Sequence, residues 1–120
     1  MHPNVAVVEA FLECLRKRDL SGAPFADRIL FEDPLTGDPL EGKHNVMRFI
    51  QAYLPALAEV RIMTEVSTDN HVACEWEAVT PFGRLTLFQL FEIEHGLIVK
   101  LKSYYDPRAI LASLGTHGGN

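Results

Sequence analysis

Residues 84–106, RLTLFQLFEIEHGLIVKLKSYYD, contain two runs of alternating apolar and polar residues joined by a short turn at 94–96. Alternation with a period of two is typical of a strand with one buried face, and a short glycine-containing connection between two such runs predicts a β-hairpin. One face of the first run carries Leu85, Leu87, Gln89, Phe91 and Ile93. Lys100 and Lys102 mark the solvent side of the second run. The inward positions of that run are therefore Leu101, Ser103 and Tyr105.

Two more alternating runs precede this hairpin. Residues 59–67, EVRIMTEVS, place on one face Val60, Ile62, Thr64 and Val66. Residues 71–79, HVACEWEAV, place on one face Val72, Cys74, Trp76 and Ala78. Glu75 and Glu77 alternate with these apolar residues, so we expect them on the outer face. Four consecutive strands separated by short turns predict an antiparallel sheet.

The first half of the chain has helical periodicity in two segments, residues 3–18 and 43–57. Asn4 is the expected N-cap of the first helix. Between the two helices, residues 19–27 predict a break with one short helical turn, and residues 28–33, RILFED, predict a short strand that places Asp33 on the same side as Ile29 and Phe31. A short closing helix is expected over residues 107–114, with frayed ends at 1–3 and 115–120.

Helices followed by consecutive strands indicate the α+β class, with the helices packed on one face of a curved antiparallel sheet. We expect a single domain over residues 1–120, because this length fits one compact unit. A strongly bent sheet wrapped around a long helix makes a cone, and its mouth is the expected ligand pocket.

Composition restricts the expected partners. The 120 residues include 16 acidic and 11 basic ones, for a net charge of −5, and 48% are apolar. Without a basic run we expect neither nucleic acid nor an anionic membrane as partner, because both require a positive surface. No apolar run approaches the ~20 residues of a membrane span and no signal peptide is evident, so we expect a soluble, cytoplasmic protein. Cys14 and Cys74 are far apart and the histidines are scattered, so we expect no metal.

Three stretches resemble the ketosteroid-isomerase-like and SnoaL-like branch of the nuclear-transport-factor-2-like superfamily. VVEAFLECLRKRDLSG (7–22) is similar to its first helix and the following break, and FEDPLTGDPLEGKHNVMRFI (31–50) is similar to the stretch from catalytic strand to third helix. FQLFEIEHGLIVKLKSYYDP (88–107) resembles the final hairpin of SnoaL-like members. The resemblance implies a cystatin-like, cone-shaped α+β barrel, a hydrophobic small-molecule ligand, no cofactor and a homodimer.

Residue by residue, the resemblance keeps the base and loses its partners. Asp33 matches the general base of ketosteroid isomerase. The family's oxyanion-hole tyrosine falls on Phe11, its protonated aspartic acid on Gln89, and a supporting tyrosine on Ile50. Loss of one oxyanion donor commonly costs about 2.7–4 kcal/mol of transition-state stabilisation. The parent reaction is therefore not expected at the parent rate.

Strand parity provides other polar groups for the same pocket. The candidate catalytic residues are Asp33, Gln89 and Tyr105. The expected cavity around them is lined by Phe11, Phe49, Ile50, Tyr53, Trp76, Phe91, Leu101 and Ser103. A carboxylate in such a lining has its charged form disfavoured, which raises its pKa toward the range that suits a general base.

Each of these residues also has a structural interpretation. Asp33 can open a turn by accepting hydrogen bonds from backbone amides two residues on. Gln89 can bond to Ser103 or Tyr105 across the hairpin, and Tyr105 can act as an aromatic lid whose hydroxyl reaches water. Trp76 can be a core residue rather than a platform for a ring-shaped ligand.

Two classes of function follow. The first is a small cofactor-independent enzyme, isomerase-like or cyclase-like, in which Asp33 abstracts a proton from a hydrophobic cyclic carbonyl compound while Gln89 and Tyr105 stabilise the enolate oxygen. An epoxide-hydrolase-like or dehydratase-like enzyme is an alternative. The second class is a non-catalytic binding or dimerisation domain. A homodimer is expected through the outer sheet face, where Phe88 and Leu90 point outward.

Overall fold

The computed structural model describes residues 2–81 and 83–108. Two α-helices and a six-stranded sheet make up this part of the chain. The elements, in chain order, are α1 (Pro3–Lys17), β1 (Phe25–Glu32), β2 (Leu40–Glu41), α2 (Lys43–Tyr53), a 3-10 turn (Leu54–Ala56), β3 (Glu59–Ser67), β4 (His71–Thr80), β5 (Gly83–Glu94) and β6 (Leu97–Tyr104). The predicted α+β class is confirmed.

The sheet has the strand order β2-β1-β6-β5-β4-β3. β3 to β6 pair antiparallel in sequence order, as predicted, whereas β1 runs parallel to β6. The sheet is curved but open, with β2 and β3 at its two edges. The cone shape is thus confirmed, but the expected barrel is not closed. No helix in the described part of the chain is long and apolar enough to cross a membrane.

The first helix packs one apolar stripe against the sheet. Its buried residues are Val5, Val8, Phe11, Leu12 and Leu15. The N-cap is His2 rather than the predicted Asn4, because the His2 side chain accepts a hydrogen bond from the Asn4 N–H. Pro3 is the first helical residue. Proline suits this position because the first helical N–H has no intrahelical partner.

The second helix is shorter than predicted. It ends at Tyr53, and Leu54–Ala56 form a 3-10 turn. Pro55 explains the end, because proline lacks a backbone N–H and its ring clashes with the carbonyl one helical turn earlier. The predicted helix over 43–57 is therefore correct only as far as residue 53.

The first strand is longer than predicted. It begins at Phe25, so the helical turn expected in residues 19–27 is wrong over 25–27. Its parallel pairing with β6 matches Phe25 with Ile98 and Phe31 with Leu101. β2 has no counterpart in the prediction, because two residues are too short to display a period. It pairs with β1.

The third strand departs from strict alternation. Its register against β4 shifts between Ile62 and Thr64, so Met63 is an extra residue that forms a β-bulge. One inserted residue reverses the face of every side chain that follows. Val66 is accordingly 60% exposed, while Glu65 turns inward and burial raises the pKa of its carboxyl. The prediction that Thr64 and Val66 share one face with Val60 and Ile62 is wrong for this reason.

The last hairpin follows its sequence pattern. Leu87, Gln89, Phe91 and Ile93 of β5 are buried, as are Leu101 and Ser103 of β6. The turn residues His95 and Gly96 both have positive φ, 54° and 75°. Two such residues match the right-handed twist of the strands they join. The predicted closing helix over 107–114 and the frayed tail at 115–120 lie wholly or mostly outside the described residues.

The inner face of the sheet packs on α1 through aromatic contacts. The ring of Phe11 lies 5.5 Å from that of Phe25 and 5.8 Å from that of Phe91, measured between centroids. These rings fill the space between helix and sheet at one end of the cone.

Leu12→Ala tests the contact between α1 and the sheet. The substitution is expected to lower the free energy of unfolding by about 2–5 kcal/mol, because it removes a fully buried side chain. Leu97→Ala removes the same atoms at a site that is 42% exposed and should cost about 1 kcal/mol or less. Urea denaturation followed by circular dichroism measures both, and equal losses would contradict the packing described.

Candidate functional site

An apolar cavity of about 250 Å³ opens between the helices and the inner face of the sheet. Its walls come from α1, α2 and the turn after it, from the C-terminal ends of β1 and β6, and from β4 and β5. The residues that line it are Phe11, Leu15, Phe31, Asp33, Leu35, Phe49, Ile50, Ala52, Tyr53, Ala56, Leu57, Trp76, Thr80, Leu85, Leu87, Gln89 and Tyr105.

Most of the residues predicted from the sequence come together here. The cavity wall includes Asp33, Gln89, Tyr105, Phe11, Phe49, Ile50, Tyr53 and Trp76. Phe91, Leu101 and Ser103 were expected in the lining but lie outside it. They do face inward, yet Phe91 packs on the Phe11 ring and both Phe91 and Leu101 are completely buried. Ser103 is also buried and bonds to Gln89.

Several lining residues were not predicted. Leu85 and Leu87 share the inner face of β5 with Gln89, so strand parity was a sufficient signal for them. Phe31 is on the inner face of β1, beside the position of Asp33. The remaining positions come mainly from the turn after α2 and from the loop after β1, whose path has no periodic signature.

Aromatic rings form one side of the cavity. The Phe49 ring lies 5.4 Å from Phe31 and 5.0 Å from Tyr53, between centroids. These tilted pairs join α2 to the end of β1 and present ring faces and edges to the cavity. Such a wall suits a flat, apolar ligand.

Asp33 directly follows β1 and serves both interpretations offered for it. Its Oδ1 accepts a hydrogen bond from the Leu35 N–H at 2.9 Å, and its carbonyl accepts from Thr36 N–H at 3.1 Å and Thr36 Oγ1 at 2.9 Å. This is an Asx turn, the structural role expected of an aspartate before proline. The same carboxylate also reaches the cavity wall. A turn-forming role therefore does not remove Asp33 from the pocket.

Tyr105 is the side-chain partner of this carboxylate. Its hydroxyl donates to Asp33 Oδ1 at 2.7 Å, across 72 residues of sequence. Burial, followed by the hydrogen bond to Asp33 and its charge, raises the pKa of Tyr105 well above its ordinary value. The phenol therefore stays neutral and acts as a donor. Because Leu35 and Tyr105 both donate to Oδ1, neither occupies the lone pairs of Oδ2.

Burial decides the proton affinity of Asp33. Desolvation raises the pKa of Asp33 above its ordinary value near 3.8, against the opposing effect of hydrogen bonds from Leu35, Tyr105 and Ser103. The net direction is upward because the cavity is apolar and removes the water that would stabilise the charge. A carboxylate in this state has a stronger tendency to accept a proton than one in solvent.

Gln89 is held on both sides. The Trp76 indole N–H donates to Gln89 Oε1 at 2.7 Å, and Gln89 Nε2 donates to Ser103 Oγ at 2.9 Å. The interpretation in which Gln89 bonds across the hairpin to Ser103 is therefore present in the structure. Its second Nε2 hydrogen is not used by either of these bonds.

Other acidic groups near Asp33 and on the outer face of the sheet lie outside the cavity wall. Asp38 and Glu41 are exposed. Glu77 pairs with Arg84 at 3.2 Å, and Glu32 pairs with Lys100 at 3.7 Å. Among the lining residues that the structure describes, Asp33 is the acidic one and none is basic.

The described residues contain neither an activated cysteine at Cys74 nor a cluster of metal ligands. Burial raises the pKa of the Cys74 thiol to about 12, so the thiol is not a ready nucleophile. Within residues 2–81 and 83–108, no three histidine, cysteine, aspartate or glutamate side chains are grouped as metal ligands.

Solved structures with the same fold include several of modest sequence similarity. A protein from Kribbella flavida superposes with a TM-score of 0.86 at 14% identity, over 96% of each chain. A steroid delta-isomerase from Pseudomonas aeruginosa has a TM-score of 0.79 at 20% identity, over 99% of this chain and 90% of its own. An NTF2-like protein of unknown function from Cytophaga hutchinsonii has a TM-score of 0.74 at 18% identity, over 88% and 91%.

These similarities establish the fold of the nuclear-transport-factor-2-like and ketosteroid-isomerase-like proteins, without selecting a branch. No curated protein matches the chain. One family model matches residues 2–116, nearly the whole sequence. The chain therefore belongs to the family described as Domain of unknown function (DUF4904).

Proposed function

We propose that this protein is a cofactor-independent enzyme that moves a proton on a neutral, cyclic carbonyl compound, with Asp33 as the general base. The observation that carries the proposal is the position of one carboxylate, half-buried and hydrogen-bonded to a tyrosine, in the wall of an otherwise apolar cavity. On the inner sheet face, Gln89 stands at the position that corresponds to the protonated aspartic acid of ketosteroid isomerase. The steroid delta-isomerase with the same fold is consistent with this chemistry.

The cavity restricts the substrate by size and charge. An apolar cavity of about 150 Å³ accommodates benzene, so a volume of about 250 Å³ suits one or two rings rather than four. A lining that includes one acid and no base among its described residues disfavours an anionic substrate. A small alicyclic or aromatic ketone satisfies both conditions.

The proposed reaction transfers one proton within the substrate. Asp33 removes a proton from the carbon next to the carbonyl, and the C–H electron pair becomes part of the enolate. In a substrate with a β,γ carbon–carbon double bond, the electron pair is delocalised over a dienolate, and the protonated Asp33 returns the proton to the γ carbon, which regenerates the carboxylate and leaves the conjugated ketone. No oxidant or second reactant is needed.

Tyr105 and Gln89 have different proposed roles. Tyr105 already donates to the carboxylate, so its role is to orient the base. The second Nε2 hydrogen of Gln89 is the donor proposed for the enolate oxygen, because Gln89 is in the cavity wall and this hydrogen is not engaged by Ser103. A neutral amide is a weaker oxyanion donor than a charged group, so turnover is expected to be slow.

A non-catalytic binding domain is the second candidate. The observation that favours it is the Asx turn, in which Asp33 Oδ1 is already used by Leu35 and Tyr105. On this alternative the carboxylate shapes the pocket and accepts a hydrogen bond from the ligand, without taking a proton.

Asp33→Asn separates the two candidates. Wild-type protein is incubated with cyclohex-3-en-1-one, and formation of the conjugated enone is followed by ultraviolet absorbance, with deuterium uptake followed by NMR. We expect Asp33→Asn to lose about 10²–10⁴-fold in rate, the usual contribution of a general base, while affinity changes little.

Asp38→Asn, which changes an exposed acid in the same loop, is the matched control and should retain wild-type turnover. Retained turnover in Asp33→Asn would refute the base. Saturable binding with no wild-type turnover across a panel of cyclic ketones would favour the binding domain.

Stability should depend on pH through the same carboxylate. A carboxyl whose folded pKa is raised contributes most below its unfolded pKa, and this contribution is lost as pH rises through the folded pKa. Asp33→Asn keeps an oxygen that can accept from Leu35 and Tyr105 but removes the buried charge. Its free energy of unfolding relative to wild type should therefore increase as pH rises from near 3.8 and level off above the raised pKa.

Urea denaturation over a pH series measures this difference. Asp27→Asn, at an exposed position on β1, is the control and is expected to show no such gain. A relative stability of Asp33→Asn that falls with rising pH would mean that the carboxylate is stabilised by its partners, contrary to the proposal.

We also propose a homodimer through the outer face of the sheet. Phe88 and Tyr104 are direct cross-strand partners and are 46% and 47% exposed. Glu75 flanks Phe88 on one side, and Lys102 lies over the Tyr104 ring on the other, 5.2 Å from its centroid. A two-fold axis near Phe88 would place the acidic flank of one copy over the basic flank of the other, which is the self-complementarity that such an interface requires.

Phe88→Lys should convert this dimer to a monomer. Sedimentation equilibrium at micromolar concentration is the measurement, and a dimer is expected for the wild type. Ala10→Lys places the same charge at an exposed apolar site on α1, away from the outer face of the sheet, and should leave the dimer intact. A monomeric wild-type protein would refute the interface.

A further inference from the structure

Three buried side chains with polar groups lie in a row, two of them in the cavity wall and the third beside it. Trp76, Gln89 and Ser103 lie on β4, β5 and β6 and are 2%, 4% and 5% exposed. Trp76 Nε1 donates to Gln89 Oε1 at 2.7 Å, and Gln89 Nε2 donates to Ser103 Oγ at 2.9 Å. Gln89 is the register partner of Ser103 across the hairpin.

The donor and acceptor properties of these groups fix the direction of the two hydrogen bonds. An indole N–H can only donate, so the atom of Gln89 that faces Trp76 must be the amide oxygen. The amide nitrogen then faces Ser103 and can only donate, so Ser103 Oγ is the acceptor. The Ser103 hydroxyl hydrogen is left to point to a further acceptor.

Strand pairing brings the part of the chain that carries Asp33 next to Ser103. In the parallel ladder between β1 and β6, Phe31 is opposite Leu101 and Glu32 is opposite Lys102. Continuing this register by one residue brings Asp33 beside Ser103. Ser103 is also one of the hydrogen-bonding neighbours that oppose the effect of burial on the Asp33 pKa.

We propose that Trp76, Gln89 and Ser103 form a one-way hydrogen-bond relay that aims the Ser103 hydroxyl at the Asp33 carboxylate. Trp76 and Ser103 are then positioning residues for the base, together with Tyr105, and Gln89 links them through one Nε2 hydrogen while its other one remains the proposed donor to the enolate oxygen. Trp76 is connected to Asp33 only through Gln89 and Ser103. The indole N–H therefore influences the pKa of a carboxylate with which it makes no contact. Their importance for catalysis rests on the proposed function, but the relay itself concerns the carboxylate alone.

The relay predicts a remote effect of Trp76→Phe. Without the indole N–H, the Gln89 amide is free to turn its oxygen toward Ser103 and to accept the Ser103 proton. Asp33 then loses a donor to its charged form, so its pKa should rise. Enlarging the cavity has the opposite effect, because added water stabilises the carboxylate and lowers the pKa. The sign of the shift therefore distinguishes the relay from a loss of packing.

The test is a ¹³C NMR titration of the Asp33 carboxyl in four variants. Ser103→Ala removes the last donor and should raise the Asp33 pKa above the wild-type value. Trp76→Phe should raise it in the same direction. The double variant should be no higher than Ser103→Ala alone, because the effect of Trp76 passes through Ser103. Leu87→Ala, which enlarges the cavity next to Trp76 without touching the relay, should lower the pKa or leave it unchanged.

Two results would overturn the relay. One is a pKa in Trp76→Phe that is unchanged or shifts downward like that of Leu87→Ala, and the other is a full additive rise in the double variant. The titratable neighbour of Asp33 in this comparison is Tyr105, with Tyr53 beyond it, and neither is altered. If Trp76→Phe does not fold, Ser103→Thr provides the second test. It keeps the hydroxyl and should hold the wild-type pKa that Ser103→Ala loses, and a rise as large as that in Ser103→Ala would refute the relay.

The failure of the relay and of the proposed enzyme are distinguishable. The titrations need no substrate, so they can refute the relay while Asp33→Asn still abolishes turnover. Conversely, a protein without turnover can still show the predicted shifts.

Discussion

Taking the Asp33 carboxylate out of water costs free energy, and the structure around it offsets only part of that cost. The Leu35 amide and the Tyr105 hydroxyl donate to it, yet burial still raises its pKa. A carboxylate in an apolar wall is costly when neutral donors are its partners and no cation balances its charge. The apolar cavity, the neutral donors and the absence of a basic group among its described lining residues all leave this acid able to accept a proton.

The fold provides this environment through one parallel pairing. β1 lies beside β6, so the residue that follows β1 is brought next to the end of the last hairpin. Asp33 and Tyr105 are 72 residues apart in sequence and meet at this point. The ring of Phe11 packs on those of Phe25 and Phe91 and also forms part of the cavity wall that contains the carboxylate. Core packing and the location of the site thus have the same structural origin.

Periodicity predicted much of this architecture and a large share of the cavity wall. The faces of β4 and β5 follow from alternation, which places Gln89 and Trp76 inward. The bulge at Met63 could not be predicted, because the residues of β3 are typical of a strand with or without a bulge. The one extra residue nevertheless reverses the faces of the side chains that follow it. Pairing was also beyond local pattern: the donors to Asp33 and the two partners of Gln89 depend on contacts between distant strands. Residue types indicated the groups, and the tertiary structure determined which of them meet.

The central claim is that burial makes Asp33 a proton acceptor, and that the hydrogen bonds of its turn do not stabilise the charged carboxylate enough to prevent this. A ¹³C-detected titration of its carboxyl resonance in the ligand-free wild-type protein tests this claim most directly. The structure predicts a midpoint above the ordinary value near 3.8. A midpoint below that value would mean that the hydrogen bonds in the turn dominate, and it would contradict the account of Asp33 as the base.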